Sequence, residues 1–558
     1  MNSRQFLRKL LPGSTACSWT AVVVFAAALH ARANGATADQ AMVSIRPEAI
    51  RADMRFLADD ALEGRGIETR GYAVAAKFMA SEFEGLGLEP AGQSGFFQNV
   101  PLRSMRPDES KTSMTWMRAG TPETLVFRQD YISGGDPIRA ESSVEAPVVF
   151  VGYGVTAKGQ GYDDYEGIDT KGKIVAMLFG APNFESSLKA HNSSSAVKRK
   201  NAAAHGAVGV ITLDDPNLEH LYSFSKRVRD LANPQYRWLD PDGNANDYFP
   251  ELLAIVALSM EATKKFFAGS EHSADEVYAS LAAGKRISFP LPLVAKIHNV
   301  TRLGGVVSQN IVAKLAGSDP TLKSEYLVYT AHLDHLGIGE PVKGDRIYNG
   351  ALDNASGSAI LIETARAFSQ IKPRPKRSIL FVAVTAEEAG LLGSDYFAHY
   401  PTVPKSAMVA NINMDEDAML WPLQDIVAFG AEHSSLGDVV ERAAKRLNLS
   451  ASPDPMPQQV TFIRSDQYSF VKQGIPAIFP TAGFKSTDPK IHPDEIFENW
   501  ESTRYHQPQD DMDQPGLDFD AAVHYARFIF LCGYYVAQDA RRPRWNIGDF
   551  FGDLYGQR

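Results

Sequence analysis

The run Ser378-Ile-Leu-Phe-Val-Ala-Val-Thr offers no polar face to water. A strand of that kind needs cover on both sides, which places it at the centre of a sheet between helix layers. Similar strands are expected at Asn310-Ile-Val-Ala-Lys-Leu, Tyr326-Leu-Val-Tyr-Thr, Met408-Val-Ala-Asn-Ile-Asn-Met and Ala477-Ile-Phe-Pro. Helical patterns fall between and after them, over 357–368, 386–400 and 519–537. The expected fold is α/β, a mixed central sheet between helix layers, with functional side chains at the C-terminal ends of strands.

The rest of the chain divides by style. Residues 45–126 open with helical spacing and end in short strand-like runs; with 292–540 they are expected to form one discontinuous domain. Between them, residues 127–291 read as an inserted smaller β-rich α/β domain. There Pro147-Val-Val-Phe-Val and Lys173-Ile-Val-Ala-Met-Leu-Phe are strands, a basic helix runs through Lys198-Arg-Lys, and Gly209-Val-Ile-Thr-Leu closes the unit. Residues 541–558 form an aromatic C-terminal tail. At the other end, Arg4, Arg8 and Lys9 precede an apolar stretch from Trp19 to Leu29, and Ala31-Arg-Ala follows. That is the pattern of a signal peptide over 1–33, so export to the periplasm or beyond is expected, without stable membrane insertion.

Cys17 lies in that leader, and Cys532 alone would remain, in an apolar stretch suited to a buried structural thiol. No disulfide framework is available. The net charge is −10, or −14 less the four basic residues of the leader, which argues against nucleic acid as a partner.

Five potential metal ligands occur in order, each in a compact cluster. His332 lies in Ala-His-Leu-Asp-His-Leu-Gly, Asp353 in Ala-Leu-Asp-Asn-Ala-Ser-Gly, Glu388 in Ala-Glu-Glu-Ala-Gly, Asp415 in Asn-Ile-Asn-Met-Asp and His506 in Tyr-His-Gln-Pro. Two imidazoles and three carboxylates suit two zinc ions, with one carboxylate joining them and open positions left for water. Asp353 is the natural bridge, because a carboxylate can use both oxygens. Asp334, two residues past His332, is expected to meet the second ring nitrogen and fix its tautomer. His335 is assigned local hydrogen bonding. Of the adjacent acids, Glu387 is taken as general base and Glu388 as ligand, since neighbouring side chains diverge. Glu416 and Asp417 compete with Asp415, and Asp510 and Asp511 are available as partners for His506. Among the remaining histidines, His433 stands out.

These clusters resemble the co-catalytic zinc metallopeptidases of the bacterial leucyl aminopeptidase and glutamate carboxypeptidase type. Leu57 to Gly66 and Gly85-Leu-Gly-Leu-Glu-Pro-Ala-Gly are similar to that family's N-terminal helices, and 148–213 to its protease-associated insert. The resemblance implies His332 and Asp415 on one zinc, Glu388 and His506 on the other, and Asp353 between them. It implies catalytic roles for Asp334 and Glu387. Two departures concern the substrate pocket: an acidic Glu416-Asp417 after Asp415, and Gln467 where the family's Ser-Asp-His segment has its histidine.

The activity expected is removal of the N-terminal residue from peptide substrates, with a water activated by the metals as nucleophile. The alternatives are a carboxypeptidase or dipeptidase of the same fold, a single-zinc glutaminyl-cyclase relative, and a binding protein that has lost catalysis. The acids around the site, with Arg464 as the sole nearby arginine, favour recognition of an amine.

Overall fold

The computed structural model describes residues 36–416 and 419–556. The leader with Cys17, and Asp417, lie outside the described residues.

The fully buried strand Ser378–Val384 is central, as its composition requires. It runs parallel to Tyr326–His332, which is itself parallel to Met408–Asn413, and that strand to Ala477–Ala482. On its other side lies an antiparallel neighbour, the last residues of the long strand Ser288–Leu315. The sheet is therefore mixed, with a parallel middle.

Alternation along these strands separates two apolar layers. Leu327, Tyr329, Ala331, Ile379, Phe381 and Ala383 face helices Pro47–Leu57, Gly357–Gln370 and Phe519–Gln538. Val328, Leu380, Val382 and Val384 face the opposite way, onto Phe397 and Phe470. Cys532 is fully buried on the last helix, where burial pushes its thiol up. Among the described residues, no helix is long and apolar enough to cross a membrane.

A separate core gathers Trp116, Phe150, Ile174, Ile211, Val256, Phe266 and Ile297. Its sheet includes the parallel strands Ile174–Leu178, Gly209–Leu213 and Ile255–Leu258. The long strand joins the two sheets: residues 288–300 pair with Glu141–Val151, and residues 301–311 with Phe97–Pro107. One short strand of the intervening chain, Gln235–Trp238, leaves this unit and pairs with Phe97–Pro107.

Candidate metal centre

Parallel strands end side by side, and here the register decides what meets. His332, the last residue of its strand, lies opposite Val384, and Thr330 lies opposite Asn413. The chain positions just beyond those partners are Glu387, Glu388 and Asp415. Three functional segments thus leave the same sheet edge together.

His332 Nε2 is 3.0 Å from Asp415 Oδ1 and 3.2 Å from Asp353 Oδ1. The other oxygen of Asp353, Oδ2, is 3.2 Å from His506 Nε2, which is 3.1 Å from Glu388 Oε2. Asp353 therefore stands between two donor sets, one oxygen toward each. Its segment is an irregular turn over 351–356, and the helix begins only at Gly357. Asp510 holds that turn, accepting from the amides of Leu352 at 2.9 Å and Asp353 at 3.0 Å. It thus serves the backbone of 352–353, where a partner for His506 was expected. Asp511 accepts from the amide of Asp513 at 2.8 Å.

Asp334 also differs from expectation. His332 Nδ1 donates to the main-chain carbonyl of Asp334 at 3.0 Å, so the tautomer is fixed by backbone. The fully buried Asp334 carboxylate instead accepts from the amides of Glu387 at 3.1 Å and Glu388 at 3.4 Å. It anchors the turn that presents both glutamates. That turn occupies 386–391, with Ala386 and Leu391 at positive φ, so the helix expected from 386 starts at Leu392.

His335 is drawn into the centre. Its ring is fully buried, and Nδ1 lies 2.5 Å from Glu388 Oε1. Neither ring nitrogen has a hydrogen-bond partner, which contradicts the expected local hydrogen bonding, and Glu388 Oε1 lacks one too. Gly350 makes the placement possible: at φ +58 it carries no Cβ, which would meet His335 Cγ at 2.5 Å.

The electrostatics are those of a site short of positive charge. Burial works against the charge of Glu388, yet His506 and His335 outweigh it and hold the carboxyl at about 2. Burial likewise disfavours a charged His506, but Glu388 and Asp353 push it up to about 10. Glu387 goes the other way. Burial, with Asp415, Asp466 and Glu388 nearby, raises it well above the usual carboxylate range against the pull of His332. Clustered carboxylates with imidazoles aimed at them, and orphaned donor atoms on His335 and Glu388, fit divalent cations.

The centre opens into a cavity of about 1030 Å³, counting its mouth, with Trp421, Phe429, Phe484 and Trp500 on its walls. Glu387, Glu416 and Arg464 line it; Gln467 turns away, donating to the carbonyl of Phe462 at 2.7 Å. Ser465 donates to Asp415 Oδ2 and receives a hydrogen bond from Asn413 Nδ2 at 2.7 Å. The Tyr505 ring stacks on that of His506 at 3.9 Å, and its hydroxyl accepts from Arg464 Nη2 at 3.0 Å.

One contributor comes from the middle of the chain. Lys226, on helix Phe224–Asp230, holds its ammonium 5.2 Å from the centre of the Tyr505 ring. Nothing in the local sequence of Ser-Lys-Arg-Val-Arg announces this.

Residues 310–531 match the model of peptidase family M28. A probable glutamate carboxypeptidase of Arthroderma benhamiae is 31% identical over 209 residues, which are 35% of this chain and 27% of that protein. Leupeptin-inactivating enzyme 1 of Streptomyces exfoliatus is 33% identical over 112 residues, 20% of this chain and 23% of that protein. The chain thus spans about a quarter of the length of these curated relatives. The solved aminopeptidase from Aneurinibacillus sp. strain AM-1 shares the fold, with a TM-score of 0.52 at 19% identity, over 91% of this chain and 97% of that one. The matched segment, residues 310–531, holds all five donors, so the likeness to peptidase family M28 falls on the part of the chain that builds the metal centre.

Proposed function

We propose that the protein is an exported aminopeptidase that holds two zinc ions and hydrolyses the first peptide bond of its substrates. The observation that carries this reading is Asp353, whose two oxygens lie 3.2 Å from His332 on one side and 3.2 Å from His506 on the other. His332, Asp415 and Asp353 would hold one cation; Glu388, His506 and Asp353 the other. Such cations polarise a scissile carbonyl and bring the pKa of water down toward about 7.

The chain's own groups do the rest. Glu387 faces the cavity with its carboxylate 4.0 Å from His332 Nε2, placed to take a proton from the attacking water and deliver it to the leaving amine. Asp334 keeps Glu387 and Glu388 at their stations through the two amides. The aromatic walls exclude water from the bond being cut, and Glu416 offers a carboxylate to a substrate ammonium. The middle unit, whose core runs from Met114 to Ile297, is read as a protease-associated type of insert, supported by that separate apolar core. Export after cleavage near Ala33 is supported by the order of basic, apolar and small residues at the start of the chain.

A second reading, a dipeptidase or carboxypeptidase, is favoured by one observation. Lys226 and Arg464 both lie against Tyr505, 5.2 and 5.9 Å from its ring centre, so the mouth carries two cations in addition to its acids. The experiment that separates the readings compares one peptide as free amine, as N-acetyl derivative and as C-terminal amide. Aminopeptidase action requires that acetylation abolish cleavage and amidation leave it. Cleavage that survives acetylation and fails on amidation assigns the second reading.

A further inference from the structure

The basic helix Ser195–Ala204 has no part in the metal centre, yet one of its cations is placed where a ligand could use it. Lys198 turns inward and donates to the carbonyl of Leu178 at 2.9 Å. Its neighbour Arg199 instead lines a cavity of about 580 Å³, counting its opening to solvent. Arg237 lines the same cavity from the strand Gln235–Trp238. Directly across from Arg237 on the paired strand is Arg103, so both side chains leave the same face of the sheet.

The guanidinium groups of Arg199 and Arg237 therefore share one cavity, with Arg103 beside Arg237 on the paired strand. Among the described residues, no carboxylate lies within 4.0 Å of any of them. The Nε atoms of Arg103 and Arg199 are buried with no hydrogen-bond partner. Asp136, buried in the wall of the cavity, is engaged by the amides of Ile138 and Arg139 at 2.8 and 2.7 Å and by the Arg139 side chain at 3.3 Å. Asp247 is the acid that reaches Arg199 and Arg237, and it acts from an exposed position. Burial, with Arg237 beside it, pulls Arg199 down to about 10. An arginine stays charged at neutral pH, and a buried donor without a partner is costly, so such a cluster calls for an anion. The planar forks match the two oxygens of a carboxylate. The rest of the wall is mixed: Met105 and Leu252 are buried there, beside Asp136, Asp247, Gln235 and Asn299.

We propose that this cavity is a second binding site, for a carboxylate carrying an apolar body, the chemistry of a peptide's C-terminal end. It is separate from the metal centre and does not depend on the direction of peptide cleavage. Titration calorimetry on the full chain tests it, with N-acetyl-phenylalanine and its amide as probes. The acid is expected to bind and the amide to bind at least about tenfold more weakly, because the amide lacks the charge the forks recognise. R199Q and R237Q should each weaken the acid by about tenfold or more while leaving peptide turnover unchanged. E388A, which alters the metal centre, should leave the acid's affinity as it was. Equal binding of acid and amide overturns the proposal without any variant. So does affinity that survives both arginine substitutions, or affinity that disappears in E388A.

Discussion

Glu387 and Glu388 are adjacent in sequence and opposite in electrostatic state, the first raised well above the ordinary carboxylate range and the second held at about 2. Position explains the split: Glu388 faces His506 and His335, whereas Glu387 faces other acids. Glu387→Gln should therefore keep the metal content and lower kcat by roughly 10²- to 10⁴-fold, the usual worth of a general base. Glu388→Ala should lower metal content instead. Elemental analysis and steady-state kinetics on the two variants check this, and the reverse pattern would exchange their roles. The five donors were legible because each follows a strand-like apolar run or a tight turn, and strand ends in an α/β sheet converge. His335 was not legible as a member of the centre. Its position depends on a glycine fifteen residues away and on the Glu388 carboxylate, both tertiary facts. Asp334 was expected to meet His332 through its carboxylate, whereas that carboxylate accepts from backbone amides that only the turn at 386–391 brings near.

At the scale of elements, the least legible part is the loop 60–65, which the sequence shows only as Glu-Gly-Arg-Gly between helices. Glu63, Gly64 and Arg65 all have left-handed φ, and this tight path sends the Arg65 guanidinium into the interior. There it donates to the carbonyls of Leu333, Leu57, Asn349 and Gly350 at 2.8, 2.5, 2.6 and 2.9 Å. Two of these carbonyls precede the Asp353 turn and one adjoins Asp334, so a single side chain ties the N-terminal helices to the floor of the metal centre. Arg65→Met removes the Arg65 donor from the carbonyls of Leu333, Leu57 and Asn349, whereas that of Gly350 keeps the amide of Ala355 at 3.1 Å. At about 1–3 kcal/mol for each orphaned group, partly relieved by water, we expect a loss of about 3 kcal/mol or more. Denaturant unfolding measures it; a change below about 1 kcal/mol would mean the loop is not a structural tie. The central strands, by contrast, were read nearly residue by residue, since an uninterrupted apolar run has few other uses.

Across the whole molecule, the C-terminal tail acts as a clasp. Trp545 Nε1 donates to the carbonyl of Gly474 at 3.0 Å, Phe551 is fully buried, and Asp549 Oδ2 lies 2.6 Å from His433 Nδ1. On the other side of that ring, Nε2 is 3.2 Å from Glu432. Burial disfavours the imidazolium, but the two carboxylates prevail and raise His433 to about 9. A histidine raised above its unfolded value contributes stability that is complete below about pH 6.5 and is lost as pH rises through about 9. Limited proteolysis of the tail should accelerate across that window, and His433→Gln should flatten the dependence. An unchanged pH profile in the variant would remove His433 from the clasp. The most direct test is metal content in active protein, because the proposed mechanism assigns one oxygen of Asp353 to each of two cations. Elemental analysis of the purified, active chain should return about two zinc ions per molecule, with hydrolysis lost on chelation and restored by zinc. Full activity with one metal or none would contradict it.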